Sequence, residues 1–197
     1  MFIYALALGA LALVWSVYLG EPLSALYVHQ PSQSSLSLPF LTLELPLELE
    51  LEVALGAGLG LALVALGRLL SRRVELLQRM DRDFAVLFAS AHPLYLTGLA
   101  FMSAFAEEVI FRGWLLPMMG LWWSSALFGA AHVPMERHHW PWPLAATLMG
   151  LLWGGLTALM GSVTVAFVAH FTLNHFNLHA LRSLELESRP PTRSTMD

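Results

Sequence analysis

Long uncharged runs, interrupted by compact charged clusters, set the pattern of this chain. Phe84 to Ala106 and Gly113 to Met135 carry no formal charge with histidine neutral, and His138 to Leu181 stays uncharged for long enough to supply two crossings of a bilayer. Because a spanning helix needs about 20 apolar residues, the pattern predicts an all-α, polytopic transmembrane helix bundle. We expect six spans, near 2–20, 47–67, 84–118, 121–132, 143–160 and 163–181. The third is long, with Pro93 as a kink; the fourth is short, which suits a tilted or re-entrant segment. Between spans two and three, Val74, Leu76, Leu77 and Met80 interleave with arginines, so residues 68–83 read as an interfacial amphipathic helix. Pro46 suits a helix N1 position, with Glu48 and Glu52 on one face near the favourable end of the dipole. The alternation from Leu43 to Leu51 equally fits a strand, and periodicity alone does not decide.

Composition sharpens the picture. The chain is 57% hydrophobic and 12% charged, with a mean hydropathy of +0.63, outside the range of soluble domains and ample for one bundle of 197 residues. There is no cysteine, which excludes disulfides, thiolate metal sites and a cysteine nucleophile. Met1 to Gly20 lacks a basic n-region and is apolar for longer than a signal-peptide core, so it reads as a first span. Arg68, Arg72, Arg73, Arg79 and Arg82 crowd the connection after span two, and Arg182, Arg189 and Arg193 follow the last span, whereas Glu21 to Glu52 has acids only. Positive residues stay on the cytoplasmic side, which places both termini inside. The divisions expected are 1–83 for two spans plus an amphipathic linker, 84–182 for a catalytic bundle, and 183–197 for a polar, disordered tail.

Candidate chemistry lies inside the apolar runs, where ionisable groups are costly and mark pathways or active centres. Glu108 and Arg112 share a helix face and can form an internal ion pair. Glu107, about 100° around the helix, faces elsewhere without its own cation, which suits a group that takes and returns a proton. The bland alternative is a packing clamp. Phe128 and His132 are again one turn apart; His132 is a candidate base, water ligand or metal ligand, although a lone histidine near a helix end is more often interfacial. His170 and Asn174 share a face of the last span, and both can donate to a developing oxyanion. Taken singly they could equally be interhelical hydrogen-bond glue.

Together the three pairs resemble a known family. Glu107-Glu108-Val109-Ile110-Phe111-Arg112 fits EExxxR, Phe128-Gly129-Ala130-Ala131-His132 fits FxxxH, and His170-Phe171-Thr172-Leu173-Asn174 fits HxxxN, in that order. This is similar to the CPBP intramembrane proteases, which include the type II CAAX prenyl endopeptidases and bacteriocin-processing or immunity proteins. The resemblance covers about residues 84–180, with a glycine-rich helix bearing Gly150, Gly154 and Gly155 before Gly161 and Ser162. It implies an intramembrane endopeptidase in which Glu107 with His132 activates water, His170 and Asn174 stabilise the oxyanion, and Glu108 with Arg112 holds the geometry. A metal-free glutamate mechanism fits these residues. A divalent metal such as zinc stays open, since Glu107, His132 and His170 could supply three ligands.

Other protease classes fit poorly. Asp81, Asp83 and Asp197 are the only aspartates and none lies in a span, and there is no HExxH. Ser162, eight residues before His170, reads as a helix N-cap. His175 and His179, like His138 and His139 in the loop, read as interfacial or lining residues. The expected partners are the lipid bilayer and a membrane-anchored protein or peptide substrate, with no nucleic acid. That substrate is a C-terminal sorting or anchor segment, a leader peptide or a CAAX-like tail; the absence of lysine fits a high-GC bacterium and its inner membrane. The competing function is a non-catalytic membrane immunity or scaffold protein of the same fold.

Overall fold

The computed structural model describes residues 36–38, 41–43, 49–134 and 136–188, together with Ala10 and Val14. The expected first span near 2–20, Pro46, Glu48 and the segment 189–197 lie outside the described residues. Leu36–Leu38 (β1) and Leu41–Leu43 (β2) pair as a short antiparallel hairpin, with Leu36 opposite Leu43. Among the described residues all else of any length is helical, so the fold is an all-α membrane bundle, and the alternating stretch is helix from Leu49 onward.

Helix α1 spans Leu49–Ser71, longer than the expected 47–67, and its leucines at 55, 61, 66 and 69 point outward as a lipid-facing surface. After a break at 72–74 comes α2, Glu75–Phe88, shifted toward the C-terminus from the expected 68–83. It is amphipathic as expected: Met80, Ala85 and Phe88 are buried while Arg79 and Arg82 are exposed. The expected span over 84–118 is not one element. The chain leaves the helix at 89–92, and Pro93 opens α3, Pro93–Glu108, where the expectation made it a kink. The physical reason lies in the residue before proline: His92 is pushed out of the helical region (φ −67°, ψ 140°), and its side chain then accepts the Leu94 N–H at 3.2 Å.

From Glu108 the backbone widens into a π-helical segment, Val109–Leu115, and continues as α4, Leu116–Ala130. Gly120 interrupts α4 at φ 77°, a conformation that glycine takes without strain. That break falls between the expected third and fourth spans. A 3₁₀ turn, Arg137–His139, leads to α5, Pro141–Met160, which stops at Gly161 in the left-handed conformation. Helix α6, Thr164–Ser188, runs past its expected end at 181.

Among the described residues, three helical stretches are long and apolar enough to cross a membrane: Leu49–Ser71, Pro93–Ala130 and Arg137–Met160. Helix α6, richer in histidine and asparagine, packs against α1, α2, α3 and α5. Its contact with α1 is a small-residue seam. A Cβ on Gly56 would stand 2.8 Å from Val165 O, and one on Gly60 would stand 2.6 Å from Thr172 Cβ. In lipid, such close backbone approach replaces the hydrophobic drive that holds helices together in water.

Candidate active site

Glu107 and Glu108 close α3, and the π-helical turn follows them immediately. Backbone bonds there run over five residues instead of four, a distortion common where side chains need re-aiming. Even so, Arg112 stays on the side of Glu108. Its Nη1 lies 3.1 Å from Glu108 Oε1, with both side chains buried. The contact is an ion pair without an aligned hydrogen bond, because neither terminal guanidinium nitrogen makes one among the described residues. The guanidinium also sits over Phe128, 4.3 Å from the ring centroid, a cation–π contact made stronger by the absence of water.

Two histidines approach the acidic pair from other elements. His132 follows α4, and its Nδ1 lies 2.7 Å from the carbonyl oxygen of Phe128. A carbonyl only accepts, so Nδ1 carries a proton, and Nε2 faces Glu107 Oε2, 3.9 Å away. His170 comes from α6. Its Nδ1 lies 2.7 Å from Glu108 Oε1 and its Nε2 3.8 Å from Glu107 Oε2. Trp153 runs nearly parallel to this imidazole, at 6.3 Å and 19°, and walls the site on the α5 side.

Glu107 Oε2 thus faces two imidazole nitrogens, His132 Nε2 and His170 Nε2, from different elements. Separations of 3.8 and 3.9 Å exceed a direct hydrogen bond and suit one small bridging group such as water. His132 is the most exposed member, with 18% of its side chain accessible against 7% for Glu107 and His170, so access runs from the 131–140 side.

Five of the six expected site residues thus meet. Asn174 is a neighbour: its Nδ2 donates to Ser103 Oγ at 3.2 Å, on the same α3–α6 seam one turn from Glu107 and from His170. Ser162 takes the capping role expected of it, accepting the Thr164 N–H at 3.3 Å. It also donates to Glu52 Oε2 at 2.7 Å, a buried contact no local pattern announces. His175 and His179 share Thr97 Oγ1, at 3.4 and 3.2 Å.

His138 and His139 depart from the lining role expected of them. Their Nε2 atoms lie 2.6 and 3.0 Å from Asp83 Oδ2, and these hydrogen bonds hold the Asp83 carboxyl below the usual carboxylate range.

Residues 89–176, just under half of the chain, match the family described as type II CAAX prenyl endopeptidase Rce1-like, and all six candidate residues fall inside that range. Over 83 residues the chain is 35% identical to the uncharacterized protein YpbD of Bacillus subtilis (strain 168), covering 42% of this chain and 42% of that protein. The aligned stretch therefore spans well under half of the relative's length. No solved structure matches.

Proposed function

We propose that this integral membrane protein, Rce1-like over residues 89–176, is an intramembrane endopeptidase that hydrolyses a peptide bond with water activated between Glu107 and His132. One observation carries the reading: His170 bridges both glutamates and His132 faces Glu107 from another element, so two imidazoles flank one buried carboxylate inside a helix bundle.

Charge balance explains how such a cluster handles a proton. Two buried carboxylates against one guanidinium give the cluster one carboxylate more than it has guanidinium partners, and Glu107, which has no guanidinium of its own, is the group left to handle a proton. In the reaction, Glu107 takes a proton from water as the oxygen adds to the scissile carbonyl carbon. The tetrahedral oxyanion accepts from a protonated His170 Nε2 and from the second amide hydrogen of Asn174. The C–N bond then breaks as the proton passes to the departing amine through Glu107 or His132. Oxyanion donors of this kind contribute about 3 kcal/mol each, or roughly a hundredfold in rate. Glu108 and Arg112 position the site, since Glu108 accepts from His170 Nδ1 and orients its ring.

A divalent metal would be held by Glu107, His132 and His170, both imidazoles having the Nδ1 partner that metal-ligating histidines keep. The 3.8 and 3.9 Å separations are wider than the ~3.3 Å expected between ligands around tetrahedral zinc, so we favour the metal-free route. The substrate class proposed is a membrane-associated protein or peptide cut near a C-terminal sorting segment, leader or CAAX-like tail, with the arginine-bearing end of the bundle facing the cytoplasm of a bacterial inner membrane.

The test compares termini of membrane-anchored proteins, by mass spectrometry, in cells carrying the native chain or Glu107→Ala. Cleavages lost only in the variant establish the protease and name its substrates. Identical termini, with a phenotype that only deletion of the chain produces, would point to a non-catalytic protein instead.

A further inference from the structure

Among the described residues, one group gathers three metal-ligating atoms within 4.8 Å of one another, and it is not the catalytic cluster. It consists of Asp83 on α2 and the consecutive histidines His138 and His139 in the 3₁₀ turn before α5. The elements involved are far apart in sequence, so folding alone brings them together. His139 is buried, with its ring against Phe84 at 5.0 Å, whereas Asp83 and His138 keep side-chain exposures of 41% and 31%. One edge of the group is therefore fixed by packing while the other opens to solvent, the form of a site a metal ion can reach.

Both Nε2 atoms point at one carboxylate oxygen, so two imidazole nitrogens and a carboxylate already converge on one spot as ligand atoms would. Two imidazoles and a carboxylate form a borderline-soft set suited to zinc and its neighbours, and poorly suited to magnesium or calcium. Distances of 2.6 and 3.0 Å are shorter than the ~3.3 Å between ligands around tetrahedral zinc; small rotations of the two partly exposed side chains open them.

We propose that Asp83, His138 and His139 form a divalent transition-metal site, zinc being the best-suited ion, that clamps the amphipathic helix α2 to the start of α5 and leaves at least one coordination position to water. This assignment is separate from the catalytic reading: it needs neither proteolysis nor a metal at Glu107.

The test uses the full-length protein in detergent, stripped with chelator and titrated with cobalt(II), whose visible d–d absorption reports imidazole coordination. Every sample carries Glu107→Gln, so that the catalytic cluster has lost this carboxylate. We expect about one equivalent of cobalt bound, displacement by zinc, and an upward shift of the melting temperature with zinc. Adding Asp83→Asn or His138→Gln should abolish both the band and the shift. His138→Gln alters a partly exposed position and keeps a hydrogen-bonding side chain, so it tests the site even if Asp83→Asn folds poorly. No band in the Glu107→Gln protein, or a band that survives His138→Gln, would overturn the assignment. Unchanged melting with zinc but a lowered melting temperature in Asp83→Asn would also overturn it, leaving a hydrogen-bonded latch.

Discussion

One imidazole joins the two adjacent glutamates: His170 presents Nδ1 to Glu108 Oε1 at 2.7 Å and Nε2 to Glu107 Oε2 at 3.8 Å. Neighbours in sequence on a helix point about 100° apart, so a third group is needed to make them act on one spot. The tight contact orients the ring and the loose one is left for chemistry. Glu107 and Glu108 are therefore unequal partners, and substitutions should separate them.

Glu107→Gln keeps the size and polarity of the side chain and removes its ability to hold the proton. We expect cleavage to be lost with the melting temperature within a few degrees of the native protein. Turnover measured on an identified substrate that stays above about a tenth of native would remove Glu107 as the group that activates water.

Arg112→Ala should act on the fold. It strips the cation from a fully buried Glu108 and the stacking partner from Phe128, and breaking a buried pair in this way costs about 3–5 kcal/mol. Thermal unfolding in detergent, followed by size-exclusion fluorescence, should show a clear drop and lower yield. A melting curve that superimposes on the native one would sink the clamp role.

Asn174→Ala and Ser103→Ala divide oxyanion donation from interhelical hydrogen bonding, because each removes one partner of the same 3.2 Å bond. Loss of about a hundredfold in kcat for Asn174→Ala, beside a near-native rate for Ser103→Ala, is the result expected of a donor that touches the reacting atoms. Equal and small effects would reduce Asn174 to glue.

Gly60→Val should push α1 off α6, since its Cβ meets Thr172 and the Ala169 carbonyl. Overpacking of this kind destabilises by about 1–3 kcal/mol. Gly58→Val, with nothing within 4 Å of its added Cβ, is the matched control and should melt like the native chain.

What could be read from the sequence was local. Pairs one helical turn apart, Glu108 with Arg112 and Phe128 with His132, are fixed by helix geometry, and both are in contact as the spacing implied. The uncharged runs likewise gave the helical class, although their edges moved wherever a break had no charge to mark it, as before Pro93 and at Gly120. Long-range pairings left no such trace. Glu52 read as a helix N-terminal acid, yet it reaches Ser162, 110 residues away. Asp83 stood out only as an aspartate outside the spans, yet it takes two histidines from another loop. Nor did anything announce the π-helical turn, whose extra residue is a property of packing. The seam of α1 did leave a signal, Gly56 and Gly60 four apart in an apolar run, a spacing that marks close helix contact in membranes.

That seam also bears on inheritance. The Rce1-like stretch begins at residue 89, so α1 lies outside it, yet α1 lends Glu52 to Ser162 and two glycines to the helix that carries His170. Swapping α1 for an arbitrary hydrophobic anchor would leave membrane attachment intact and the catalytic helix without its backing. Helix α1 is thus a structural part of the proposed enzyme as well as an anchor, and a change along its glycine seam is felt by α6.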